Sequence, residues 1–96
     1  MRLQLMLVPA MHVPVDSFVY LPNEKRYFYV DDLSTEGDTT TLIHEVGLSD
    51  TGSINEVGLK FPNLEQVYVL MQYACNTKDQ LKDINNSVES YANEEL

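Results

Sequence analysis

The 96-residue chain has little of several residue types, and each scarcity excludes a class of structure. Its single cysteine, Cys75, excludes an intrachain disulfide bond. No segment approaches the roughly 20 apolar residues that a membrane-spanning helix needs. The weakly apolar beginning of the chain is not followed by the small-x-small cleavage site of a signal peptide. We therefore expect a soluble, cytoplasmic protein.

Basic residues are also scarce, at 6 against 15 acidic ones, and the formal charge is -9. No Lys or Arg lies between Tyr27 and Leu59, whereas this segment holds the carboxylates of Asp31, Asp32, Glu36, Asp38, Glu45, Asp50 and Glu56. Binding to a nucleic-acid backbone needs basic groups that displace counterions. Direct nucleic-acid binding is therefore not expected, and a basic protein partner is favoured instead.

The chain lacks the motifs of common catalytic and cofactor sites. It has no glycine-rich phosphate loop, no zinc-type Cys/His spacing, and neither G-x-S-x-G nor H-E-x-x-H. His44 is interpreted as a partly buried, hydrogen-bonded residue of a strand. Residues 31–38 offer oxygen ligands for Ca²⁺ or Mg²⁺, but their spacing does not match an EF-hand. We expect no catalytic residue, cofactor or metal, and a carboxylate-based metal-dependent protein remains a second alternative.

The patterns that are present predict an α+β fold in a single domain of residues 1–96. We expect a small antiparallel, strongly curled or barrel-like sheet of about five strands in residues 1–61. One long, slightly kinked or straight C-terminal helix follows over residues 63–93, and residues 94–96 form a frayed tail. Alternation in residues 2–8 predicts a half-buried strand, and the apolar Met6 and Val8 on its other face suggest an interior position. The turn of residues 22–25 joins two strands, 16–21 and 26–31, in a hairpin.

Residues 26–60 are predicted to form three consecutive antiparallel strands, with a turn at residues 33–38. The pattern Ile-x-Glu-Val-Gly-Leu occurs at residues 43–48 and again at 54–59, which predicts a hairpin with a glycine bulge or bend. One register places Glu45 opposite Glu56, where like charges are destabilising. A register shifted by one residue places them on opposite faces, and we prefer the shifted register.

After Pro62 a mainly apolar stripe follows a 3,4 spacing, at Val67, Leu70, Ala74, Thr77, Leu81, Ile84, Val88 and Tyr91. This spacing predicts the helix, with a break near residues 76–77 and a strand at 67–71 as alternatives. A helix of about 29 residues is about 43 Å long and extends beyond a small domain. Its second half is therefore predicted either to fold back at a kink or to form an oligomer interface, as in a homodimer, through Leu81, Ile84, Val88 and Tyr91.

These observations predict a non-catalytic protein-binding module, an inhibitor or regulator that docks its carboxylate-rich edge on a basic protein. A nucleic-acid-binding protein would fit, because the composition is similar to that of viral host-defence inhibitors and nucleic-acid mimics. The predicted partner-binding residues are Asp31, Asp32, Glu36, Asp38, Asp50, Glu56, Tyr27 and Tyr29. The first alternative is a structural subunit that self-associates through the C-terminal helix.

Overall fold

A computed structural model describes residues 5–48, 51–52, 54–70 and 78–95. Within these ranges the chain forms seven strands in two antiparallel sheets and one C-terminal α-helix. The predicted α+β fold is confirmed. The strands form two open sheets rather than a single sheet of about five strands.

The first sheet has four strands in the order β1-β7-β2-β3. Their bounds are β1 Leu5–Pro9, β2 Ser17–Leu21, β3 Arg26–Val30 and β7 Gln66–Leu70. The predicted hairpin is confirmed, since β2 and β3 pair antiparallel across a four-residue turn. The interior position predicted for the first strand is wrong, because β1 pairs with β7 and lies at the edge of this sheet.

Strand β7 corrects the prediction that a helix begins at residue 63. Val67 and Val69 are buried, whereas Gln66 and Tyr68 are exposed, which is the alternation of a strand. β7 pairs with β1 on one side and with β2 on the other. Because an inserted strand satisfies the backbone groups of both neighbours and buries two β-branched side chains, the strand alternative is right here.

The second sheet has three strands in the order β4-β5-β6. Their bounds are β4 Asp32–Glu36, β5 Thr39–Leu48 and β6 Ile54–Pro62. The turn predicted over residues 33–38 is wrong, because β4 occupies most of it and only Gly37 and Asp38 turn. Gly37 has φ +57 at the first central position of this two-residue turn, where glycine meets no steric cost.

The β5–β6 hairpin is confirmed, but its preferred register is wrong. Glu45 lies directly opposite Glu56. The same register aligns Leu42 with Leu59 on the buried face, whereas the shifted register would bring Lys60 opposite Leu42. Burying a row of apolar side chains thus fixes the pairing at the expense of two like charges.

The predicted glycine bulge is present at the turn end of β5. The register changes by one residue between Glu45 and Gly47, and Gly47 has φ +126, a conformation that favours glycine. Beyond it, Gly47 pairs with Asn55 and Leu48 with Ile54. The shifted register therefore exists only in these two pairs nearest the turn.

Helix α1, Lys78–Glu95, covers the β3 edge of the first sheet. The backbone N–H of Tyr27 in β3 donates to Ser87 Oγ at 2.9 Å. The ring of Tyr91 meets that of Phe28 edge-on at a centroid distance of 6.0 Å. Arg26 forms a two-pronged ion pair with Glu94, with one N–O distance of 2.9 Å. Residue 94 is therefore part of an anchored helix end rather than of a frayed tail.

The packing of α1 changes the interpretation of the predicted oligomer interface. Ile84, Val88 and Tyr91 are 2%, 6% and 4% exposed and belong to the chain's own core. Leu81 is 42% exposed. The length argument fails because α1 has 18 residues rather than about 29. Residues 71–77, which include Cys75 and the break predicted near 76–77, lie outside the described residues.

Candidate functional site: an acidic sheet face and an adjoining cleft

One face of the second sheet carries four exposed carboxylates, which we call the acidic face: Asp32, Glu36, Glu45 and Glu56. Side chains alternate between the two faces of a sheet, and directly paired residues share a face. The pairs Asp32–Ile43, Glu36–Thr39 and Glu45–Glu56 therefore place all four carboxylates together. The opposite face carries the buried Thr40 and Leu42.

The acidic face has little compensating positive charge of its own. Lys60, paired with Thr41, is its one basic residue among those the structure describes. Glu45 and Glu56 form no ion pair within the described ranges, although they lie directly across from each other. Directly opposed like charges in a sheet cost free energy. A cation supplied from outside the chain would remove that cost.

The structure brings together only some of the residues predicted to bind a partner. Asp32, Glu36 and Glu56 lie on the acidic face, and Asp38 is exposed in the adjoining two-residue turn. Asp31 is engaged inside the chain, Asp50 lies outside the described residues, and the ring of Tyr27 packs beside Leu70 and Ile84. Tyr29 lines a cleft next to the acidic face.

Asp31 links the two sheets. It is the single residue between β3 and β4, and its Oδ2 accepts hydrogen bonds from the backbone N–H of Glu45 at 2.6 Å and from His44 Nδ1 at 3.0 Å. Because β4 begins at Asp32, which pairs with Ile43, the residues of β5 that follow Ile43 have no partner in β4. The Asp31 carboxylate takes the place of a strand partner there, and His44 is hydrogen-bonded and partly buried, as predicted.

A cleft of about 570 Å³ opens where β5 extends past β4 and faces β2, β3 and α1. This volume lies in the range of small-ligand sites. One wall is aromatic: Phe18 meets Tyr29 at a ring centroid distance of 5.0 Å, and Tyr29 meets His44 at 6.0 Å. Two acidic residues, Glu45 from β5 and Glu89 from α1, also line it. Glu45 therefore belongs to both the acidic face and the cleft.

Two hydrogen bonds show which groups of the aromatic wall act as donors. The Tyr29 hydroxyl donates to Asp16 Oδ1 at 3.1 Å, and burial, followed by this hydrogen bond, raises the pKa of Tyr29. The phenol therefore stays neutral at physiological pH. A carboxylate can only accept, so the Nδ1–H of His44 donates to Asp31.

The second ring nitrogen of His44 is not buried. Among the described residues, no buried side-chain nitrogen or oxygen lacks a hydrogen-bond partner, and His44 Nε2 has no partner within them. Nε2 is therefore in contact with solvent, on a residue that lines the cleft.

The metal alternative has no geometric support in the described part of the chain. Within those ranges, no three His, Cys, Asp or Glu side chains converge as a metal-binding group.

None of the helices among the described residues is both long and apolar enough to span a membrane.

The cleft is the feature that sequence reasoning missed. Its polar residues on α1, Asn85, Glu89 and Asn93, recur every four residues, so they share one helix face beside the buried stripe. That spacing was a detectable signal. What it faces depends on the packing of α1 against β3, which no local pattern encodes.

Comparison of the chain with protein-family models, with curated proteins and with solved structures finds no match.

Proposed function

We propose that this protein is a non-catalytic binding module that docks its acidic face on a basic protein. The observation that carries the proposal is the arrangement of Asp32, Glu36, Glu45 and Glu56 on one exposed sheet face, with Glu45 opposed directly to Glu56. A stripe of carboxylates steers a positively charged surface into contact and raises its association rate. The contribution to binding should be largest at the opposed pair Glu45–Glu56, because a cation from the partner relieves the repulsion between the two carboxylates.

The experiment compares two variants with the same change in net charge. Glu36→Lys/Glu56→Lys reverses the acidic face, whereas Glu65→Lys/Asp83→Lys changes two exposed residues outside it. Proteins captured from lysate by the wild type are purified, and their association rates with the three forms are measured at low and high salt. A lysine-rich peptide is the defined probe.

The acidic-face variant is expected to associate at least about tenfold more slowly with the partner, and the difference should shrink with added salt. The control variant should retain most of the wild-type rate. Equal losses in both variants would mean that total charge, not its placement, controls binding. Binding that ignores salt would also remove the proposal.

A more specific version of this function is mimicry of nucleic acid, in which the carboxylates occupy a phosphate-binding surface of the partner. It predicts that DNA or RNA competes with this protein for the purified partner. Simultaneous binding of nucleic acid and this protein would refute the mimic version, while the docking of the acidic face on a basic protein would stand.

A second candidate function is self-association, and a specific observation on β1 favours it. Leu5, Met6 and Leu7 in this edge strand are 37%, 47% and 50% exposed. The β3 edge of the same sheet is covered by α1, and the edge strands β4 and β6 carry charged side chains. An uncharged apolar edge strand is a template for pairing with another strand.

The occupant we infer for this edge is β1 of a second copy, paired antiparallel about a two-fold axis at Met6. The sequence Leu5-Met6-Leu7 is then self-complementary, with each leucine opposite the other copy's leucine. Two chains of charge -9 repel each other, and an uncharged strand is where their approach costs least.

Sedimentation of two matched variants tests this second candidate. Leu7→Lys should abolish a concentration-dependent dimer, whereas Leu81→Lys, the same change at another exposed leucine, should leave it intact. Loss of the dimer in Leu81→Lys alone would instead support the helix interface. A wild type that remains monomeric at several hundred micromolar would remove both.

A further inference from the structure

We infer that the cleft between β5 and α1 is a binding site for a guanidinium group, the side chain of an arginine that the basic partner presents. The inference rests on the proposed function and deepens it, because it names the group that the partner inserts beside the acidic face. It depends on the combination of a concave shape, an aromatic wall and acidic lining residues from two different elements.

The acceptors of the cleft suit a planar group with several N–H donors. Glu45 on β5 and Glu89 on α1 are acidic residues that line different walls of the cleft. His44, whose Nδ1 donates to Asp31, adds a polar ring edge to the same cleft. A guanidinium carries five N–H donors in a plane, whereas an ammonium offers three from one point. Acceptors that lie apart therefore favour arginine over lysine.

The aromatic wall supports the same assignment. Phe18 and Tyr29 both line the cleft, and their rings meet at 61°, so the two ring faces point in different directions. Arginine stacks on aromatic faces, and its cationic plane is less strongly hydrated than an ammonium. The Tyr29 hydroxyl keeps its proton and only donates a hydrogen bond to Asp16, so the phenol adds no charge to the site.

The cleft also lies where a docked partner would reach it. Glu45 of β5 is paired with Glu56 on the acidic face, and it is also one of the residues that line the cleft. A partner attracted by the acidic face can therefore extend one side chain into the cleft without moving away. The acidic face would supply attraction, and the cleft would supply selectivity for one residue type.

The test uses small capped amino acids, so that the rest of the partner does not contribute. We would titrate the full chain with N-acetyl-arginine N-methylamide, the neutral citrulline analogue and the lysine analogue, and follow amide and histidine-ring NMR signals. The arginine compound should give saturable shifts at Tyr29, His44 and Glu45 at millimolar concentration. The citrulline analogue should give none, and the lysine analogue should bind more weakly.

A matched pair of variants locates the site. Glu89→Gln should weaken binding of the arginine compound about two- to fivefold, as expected for loss of one partly exposed charge partner. Asp83→Asn, which removes a charge from the same helix outside the cleft, should leave the affinity unchanged. Equal effects of the two variants, or shifts confined to the acidic face, would overturn the assignment.

Other outcomes separate this inference from the proposed function. Lysine binding as tight as arginine binding would refute a guanidinium site. If no capped amino acid binds while a lysine-rich peptide still binds in a manner that depends on Glu56, the cleft assignment fails and the acidic-face proposal stands. If the arginine compound binds in the cleft while acidic-face reversal leaves partner binding intact, the proposed function fails instead.

Discussion

Replacing Glu56 by lysine should make the folded protein more stable and its binding to a basic partner weaker. In the wild type, Glu56 lies directly opposite Glu45 in the β5–β6 hairpin. Glu56→Lys removes a like-charge pair and creates an opposite-charge pair at the same position. Each of these changes is worth about 0.2–1 kcal/mol in a sheet.

The expected increase in the free energy of unfolding is therefore about 1 kcal/mol. For a chain of this size that corresponds to a rise in Tm of about 4–8 °C. The measurement is urea unfolding followed by circular dichroism, at low salt and at 1 M salt. Because the Debye length falls to about 3 Å at 1 M, most of the gain should disappear there.

Glu65→Lys is the control, since it makes the same change in net charge at an exposed residue of the β6–β7 connection. The difference between the two variants isolates the Glu45–Glu56 pair from the general effect of a lower net charge. Equal stabilities would refute the observed register and support the shifted one. A stability gain together with weaker binding would also show that the loss of binding does not come from unfolding.

Three further predictions concern the helix. Ile84→Ala should lower the free energy of unfolding by about 2–5 kcal/mol, because Ile84 is 2% exposed, whereas Leu81→Ala should change it by less than about 0.5 kcal/mol in urea unfolding. Ser87→Ala should cost about 0.5–1.5 kcal/mol, since it removes the acceptor of a β3 amide, and faster hydrogen exchange at that amide would report the loss. The hydrogen bonds from Arg26 lower the pKa of Glu94. The stability that this pair contributes is therefore present above the ordinary glutamate pKa and is lost as the pH falls through the lowered pKa. Arg26→Gln should raise the Glu94 pKa in an NMR titration, and an unchanged pKa would contradict the ion pair.

Patterns that are decided locally were predictable from the sequence. The turn at Pro22 and the flanking β-forming residues determine the β2–β3 hairpin, because both depend on neighbours along the chain. The glycine in the first repeated segment predicts the bulge at Gly47 in the same way. The 3,4 spacing of Ile84, Val88 and Tyr91 predicts one buried helix face, and the structure buries all three.

Patterns that depend on which surfaces meet were predicted less well. Val67 and Leu70 fit a helical stripe, but the pair is too short to separate a helix from a strand. The Glu45–Glu56 register was predicted from charge repulsion alone. The alternation of Val57, Leu59 and Phe61, which matches the buried positions of β5, was the stronger signal, because burying apolar side chains outweighs the repulsion of one exposed pair.

The sequence alone determined that this protein is an acidic α+β chain whose carboxylates are concentrated in residues 27–59. Only the tertiary structure decided that four of them share an exposed face, that Asp31 is engaged with His44, and that Glu89 of α1 and Glu45 of β5 line the same cleft. The physical reason is that charge and periodicity are properties of a segment. The position of a carboxylate relative to a distant helix depends instead on how the buried faces of both elements pack together.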